Sequence, residues 1–230
     1  MPTEPETIRV ELDGGEAVTA LVYHSTTKRA GVTVILGHGA GANQMSGFMR
    51  LFAGGLAARG CDVVTFNFLY TERDRGIPDP KAKLEACYRS VIDAVASHRK
   101  LKGTRLVIGG KSMGGRIASQ VAAQLAVSGV ADISALVFLG YPLHPPGKPE
   151  KLRIEHLTGI RAPMLFVQGT KDVFGKPDEI TPLIKQLKLP ASVYVIEGGD
   201  HSFKVLKSSA VPQPQVYELA MDEIVRWLND

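Results

Sequence analysis

Cysteine is scarce in this 230-residue chain, which has only Cys61 and Cys87, without metal-type spacing and with no histidine close by. Two such thiols exclude a disulfide framework and a zinc site, and they read as buried or half-buried free thiols. Long apolar runs are missing too: none approaches the roughly 18 residues that a membrane-spanning helix needs. Residues 1–7 are acidic and lack the charged-then-apolar layout of a secretory leader, so the expected location is cytoplasmic, with no membrane partner. Charge of one sign does not gather either. The chain carries 27 Lys and Arg against 23 Asp and Glu, a net charge of +4, but the basic residues are scattered and form no nucleic-acid arm. There is no internal repeat and no low-complexity tract.

What is present is the material of an ordinary globular domain. Hydrophobic residues make up 44% and charged residues 22%, enough apolar surface for a core without cross-links, and the length suits a single domain over residues 1–230. Residues 8–12 alternate at period two, residues 17–23 resemble a second strand, and Asp13-Gly14-Gly15 between them signals the turn of a β-hairpin. Short, nearly continuous apolar runs then follow at residues 32–36, 62–66, 105–108, 135–139, 164–167 and 192–196, each trailed by a helix-length segment. Such runs suit parallel strands buried on both faces. Leu84, Tyr88, Val91, Ile92 and Val95 recur at three- and four-residue steps, as do Tyr217, Ala220, Ile224, Trp227 and Leu228, which predicts amphipathic helices. The fold class is therefore α/β: a mostly parallel central sheet opened by an N-terminal hairpin, with helices on both faces. Residues 141–160 begin with a proline-rich loop too short to make a large lid. With residues 68–80 they are expected to border a site open to solvent.

Gly110-Lys111-Ser112-Met113-Gly114 lies between the apolar run at 105–109 and a small-residue stretch at 115–127, and it fits the pattern Gly-x-Ser-x-Gly. A serine hydroxyl is a weak nucleophile and must stand clear of its backbone on a tight strand-to-helix turn, which flanking glycines permit. Ser112 then needs a base and an acid that orients the base. The chain offers both in the order Ser, Asp, His, since Asp172 ends the run that begins at Met164 and His201 follows the run that ends at Ile196. In a parallel sheet these carboxyl-end loops converge on one edge. Asp200 is the rival acid, assigned instead to loop hydrogen bonds. Gly37-His38-Gly39-Ala40-Gly41 follows the first parallel strand, and the backbone N–H groups of Ala40 and Met113 are the candidate oxyanion donors, with Gly41 as alternate. His38 is read as a structural loop residue. Gly41, Tyr70, Lys111 and His144 are candidate pocket-lining residues, and Arg73 and Arg116 also enter as cations near the pocket that would favour an anionic or polar substrate. A phosphate-binding loop is excluded, since Arg105 stands where its first glycine belongs.

Together these residues resemble the α/β-hydrolase superfamily over nearly the whole chain. Gly110 to Arg116, Gly140 to Pro146, Gln168 to Asp172 and Gly199 to Phe203 are similar to a small lidless subgroup near the dienelactone hydrolases, which includes hydrolase-like domains of eukaryotic chromatin-associated proteins. A dienelactone hydrolase would be expected to carry cysteine where this chain has Ser112. The resemblance implies the fold and the Ser112, Asp172, His201 triad; the residues themselves predict a serine hydrolase of carboxylesterase type that cleaves a small soluble ester or acyl compound through an acyl-enzyme, with no cofactor and no metal. The same machinery would serve a thioesterase or a peptidase, and the alternative from another class is a non-catalytic binding module on the same fold.

Overall fold

The opening alternation folds as an antiparallel hairpin, β1 (Glu6–Glu11) and β2 (Ala17–Tyr23), with Val10 paired to Val18. The computed structural model describes residues 4–128 and 132–230, so the first three residues of the acidic N-terminal stretch lie outside the described residues. The apolar runs form β3 (Val32–Gly37), β4 (Asp62–Phe66), β5 (Arg105–Lys111), β6 (Ile133–Leu139), β7 (Met164–Gly169) and β8 (Ala191–Ile196). They build one eight-stranded sheet in the order β1-β2-β4-β3-β5-β6-β7-β8. The hairpin joins antiparallel through β2 and β4, and every pairing from β4 across to β8 is parallel.

Helices α1 (Gly47–Ala57) and α6 (Gln213–Asn229) cover one face. The opposite face carries the short α2 (Leu69–Glu72), α3 (Lys81–Ser97), α4 (Met113–Ser128) and α5 (Pro177–Gln186). Period-two side-chain alternation divides each central strand between two cores. Val34, Leu36, Val107, Val137 and Leu165 meet Phe52, Leu56, Met221 and Ile224 on the α1/α6 side, whereas Ile35, Ile108, Leu136, Phe138 and Phe166 meet Tyr88, Val91, Ile117 and Val121 on the other. β8 departs from the expectation of two-sided burial. It is an edge strand paired only with β7, and Val195 on it is exposed.

Between β6 and β7 the chain forms only a 3-10 turn at Leu157–Gly159, so there is no large lid. Both thiols are buried, which pushes Cys61 up to about 11 and Cys87 up to about 12 and leaves neither ready to ionise. Among the described residues no helix is long and apolar enough to cross a membrane.

Candidate active site

β5 runs three residues beyond its apolar stretch, through Gly109, Gly110 and Lys111, and α4 begins at Met113, so Ser112 alone makes the reversal. Its φ of +52° places a non-glycine residue in the left-handed region, a strain on the order of 1–3 kcal/mol that the surrounding structure must hold. The turn sits on the end of β3: a Cβ on Gly110 would lie 2.2 Å from the Gly37 carbonyl oxygen, and one on Gly114 would lie 2.1 Å from the same atom. Those two glycines are fixed by contact between backbones.

The Ser112 hydroxyl lies 2.8 Å from His201 Nε2, and His201 Nδ1 lies 2.7 Å from Asp172 Oδ2. Asp172 is fully buried; its Oδ1 accepts the Phe174 N–H at 2.8 Å, and its Oδ2 also accepts Gln168 Nε2 at 2.8 Å. With donors at both Asp172 oxygens, His201 carries its proton on Nδ1 and turns a lone pair on Nε2 toward Ser112. Asp200 does not touch the imidazole. Its Oδ1 accepts the N–H groups of Ser202 and Lys204 and so shapes the loop that carries His201.

Sequence reasoning missed Gln168. Its Oε1 accepts the Tyr141 N–H at 2.8 Å while its Nε2 reaches Asp172 and the Gly175 carbonyl, so it holds the carboxylate from behind. A polar side chain ending an otherwise apolar buried strand, four residues before the aspartate, was the available signal. Lys111 is buried in the same region, with Nζ donating to the His201 carbonyl and lying 5.5 Å from the Phe48 ring centroid. Burial pushes its ammonium down to about 8, with Asp172 and Asp200 pulling the other way.

Behind the loop after β3, two buried rings hold successive peptide planes. His38 Nδ1–H donates to the Gly39 carbonyl at 2.8 Å, and the Tyr70 hydroxyl donates to the Ala40 carbonyl at 2.9 Å. In a trans peptide the N–H points opposite the C=O, so these contacts orient the N–H groups of Ala40 and Gly41. Among the described residues no acceptor takes the N–H of Ala40 or of Met113.

His38 Nε2 accepts the Phe68 N–H at 3.2 Å, so this ring is neutral, and burial pushes it down to about 4. In the unfolded chain a histidine titrates near 6.5, so the folded state resists a proton that the unfolded state takes up. Stability is therefore full above about 6.5 and is lost as pH falls toward about 4, a difference of roughly 3 kcal/mol. Denaturant unfolding at pH 7 and pH 4.5 should show the loss in the wild type and a smaller one in His38→Gln. An equal loss in the variant would remove His38 from the account.

Ser112 and His201 open into a cavity of about 620 Å³ that Gly41 and Lys111 also line. Pro142 and Arg153 border it from the proline-rich segment, and Pro78 and Asp79 from residues 68–80. Two expected lining residues are corrected. Tyr70 is fully buried behind the Ala40 loop because its hydroxyl is committed to that carbonyl. His144 is buried against α5, donating to the Pro145 carbonyl and meeting Glu179 at 3.2 Å. Arg116 lines the cavity; Arg73 instead pairs with Glu16.

Residues 30–229 match the alpha/beta hydrolase domain family. Among solved structures, an alpha-beta serine hydrolase homologue from Coxiella burnetii is 19% identical with a TM-score of 0.76, the match covering 98% of each chain. A lidless serine hydrolase from Xanthomonas campestris is 20% identical with a TM-score of 0.73, over 99% of this chain and 96% of that one. A dienelactone hydrolase from Anabaena variabilis is 18% identical with a TM-score of 0.72, over 97% and 99%. At these identities the likeness is one of fold.

Proposed function

This chain belongs to the alpha/beta hydrolase family, and from that premise we propose that it is a serine hydrolase that cleaves a small ester or related acyl compound through an acyl-enzyme. The observation that carries the reading is the continuous path from Ser112 Oγ through His201 to Asp172, 2.8 Å and 2.7 Å in its two steps, at the edge of an open cavity.

Ser112 Oγ attacks the substrate carbonyl carbon as His201 Nε2 removes its proton. The carbonyl π electrons move onto oxygen, where the N–H groups of Ala40 and Met113 take the developing charge. Imidazolium then returns the proton to the leaving oxygen, the carbon–oxygen bond breaks, and an acyl-serine remains. Water repeats the sequence: His201 accepts its proton, hydroxide adds to the acyl carbon, and Ser112 leaves with the proton restored. Asp172 keeps the proton of the neutral imidazole on Nδ1 throughout and stabilises the imidazolium. The left-handed Ser112 backbone presents Oγ outward, and a fixed Gly39–Ala40 peptide gives the donor little to reorganise.

A fluorophosphonate probe tests the reading without knowledge of the substrate. The wild type should gain one adduct, located on Ser112 by mass spectrometry, and Ser112→Ala should gain none. An unlabelled wild type, or an adduct retained in Ser112→Ala, would overturn the assignment.

A further inference from the structure

The charges around the cavity do not balance. Asp79, Lys81, Lys111, Arg116 and Arg153 all line it, four cations against one acid. Three of the five are already engaged. Asp79 is bonded to Arg75 at 2.8 Å, Lys81 faces Glu85 at 3.5 Å, and Lys111 donates to the His201 carbonyl with Asp172 and Asp200 acting on it.

Arg116 and Arg153 are left. Among the described residues neither guanidinium has a carboxylate within 4.0 Å or a side-chain hydrogen bond, and Arg116 Nε is buried with no hydrogen-bond partner. A buried, unpaired guanidinium N–H is what folded chains ordinarily avoid. Placement adds to the anomaly. Arg116 lies in the first turn of α4, its N–H bonded to the Ser112 carbonyl at 3.1 Å, where the helix dipole already favours negative charge and no acidic side chain stands nearby in the turn. Arg153 is held from the other wall, its N–H bonded to the Leu143 carbonyl and its carbonyl taking the Tyr141 hydroxyl, each at 2.8 Å. Arg153 responds to its neighbour: burial and then Arg116 push it below its ordinary value, and burial followed by Lys81 and Arg116 pushes His156 down to about 4. His156 is therefore neutral and adds no charge of its own beside the two guanidinium groups.

We propose that Arg116 and Arg153 form a subsite for a carboxylate carried by the substrate at a distance from its scissile ester, so that the enzyme selects anionic esters over neutral ones of equal size. The proposal rests on the serine-hydrolase reading for its catalytic half and on the two unpaired guanidinium groups lining the cavity for its binding half. Guanidinium groups suit the role because they stay charged when partly desolvated and present paired donors to a carboxylate. Arg116, one turn along α4 from the nucleophile, sets how far the anion lies from the acyl carbon.

Two measurements separate the halves. In the first, glutarate is titrated into the protein at fixed ionic strength, and its Kd should rise at least tenfold in Arg116→Gln and in Arg153→Gln, with partial recovery in the lysine variants. In the second, kcat/KM for 4-nitrophenyl hemiglutarate should exceed that for its neutral counterpart, methyl 4-nitrophenyl glutarate, at least tenfold in the wild type, the ratio falling toward one in either glutamine variant. Thermal unfolding of each variant identifies any that has not folded. Glutarate binding indifferent to both arginines, binding of inorganic phosphate but not glutarate, or equal turnover of the two esters would overturn the proposal. Arginine-dependent glutarate binding with neither ester cleaved would instead sustain the subsite and defeat the hydrolase reading.

Discussion

Asp172→Asn should lower turnover by about 10⁴-fold while the protein stays folded, as in other Ser-His-Asp sites that lose their acid. The reason lies in the donors around the carboxylate. Oδ2 receives both His201 Nδ1 and Gln168 Nε2, and Oδ1 receives the Phe174 N–H. An asparagine amide placed at Oδ2 presents its own N–H to the imidazole, which must then accept through Nδ1 and hold its proton on Nε2. That proton faces Ser112, and the base can no longer accept. Rotating the amide the other way sets its N–H against the Phe174 N–H. Steady-state kinetics with a chromogenic ester, together with the rate of fluorophosphonate labelling, measure the effect, and both should fall. Asp200→Asn is the control, expected within tenfold of wild type, because its amide oxygen can still accept the Ser202 and Lys204 N–H groups. Were Asp200→Asn to cost as much as Asp172→Asn, the orienting acid would have been misassigned.

The second large effect concerns stability. Gly114→Ala adds one methyl group at a point where a Cβ would lie 2.1 Å from the Gly37 oxygen and 2.3 Å from the Gly37 carbon. Both partners are backbone, one in α4 and one in a central strand, so neither yields as a side-chain tip would. Overpacking of this kind costs at least about 3 kcal/mol, or roughly 6–12 °C in Tm for a chain of this length. Gly54→Ala gives the opposite sign. That residue lies within α1 with nothing within 4 Å of its would-be Cβ, so alanine should stabilise by about 0.5–1 kcal/mol. Thermal unfolding of the pair measures both. A Gly114→Ala protein as stable as Gly54→Ala would mean that α4 does not rest on β3 as described.

Gly110 and Gly114 also show why parts of the site could be read from the chain and others could not. A strand-to-helix turn pressed against a neighbouring strand constrains residue type strongly within five positions, so the elbow at Gly110 to Gly114 is visible locally. Strand positions were visible for a related reason: burial on two faces demands nearly continuous apolar runs, as at residues 32–36 and 135–139, which became β3 and β6. β5 was foreseen only to Ile108, because Gly109 and Gly110 hide a strand from any apolar count. Tyr70 and His144 were misread because a polar tip looks the same whether it faces a cavity or a carbonyl 30 residues away, as the Tyr70 hydroxyl faces that of Ala40. Arg153 went unnoticed for want of any local pattern. Its loop meets α4 only through tertiary packing, and neither segment encodes that meeting alone.

The sheet order has a consequence for the making of the protein. Ser112 leaves β5, which is flanked on both sides by β3 and β6, whereas His201 follows the edge strand β8 and lies 89 residues further along the chain. During synthesis the serine therefore emerges well before the histidine proposed to take its proton. An emerging chain can shape the turn at Ser112, yet it holds an unactivated hydroxyl until β8 docks and the loop beyond it closes through Lys111 and the Phe48, Phe52 and Phe203 rings. On the proposed mechanism the nucleophile is therefore activated only once the last strand has docked, and a chain cut before β8 should take up no fluorophosphonate.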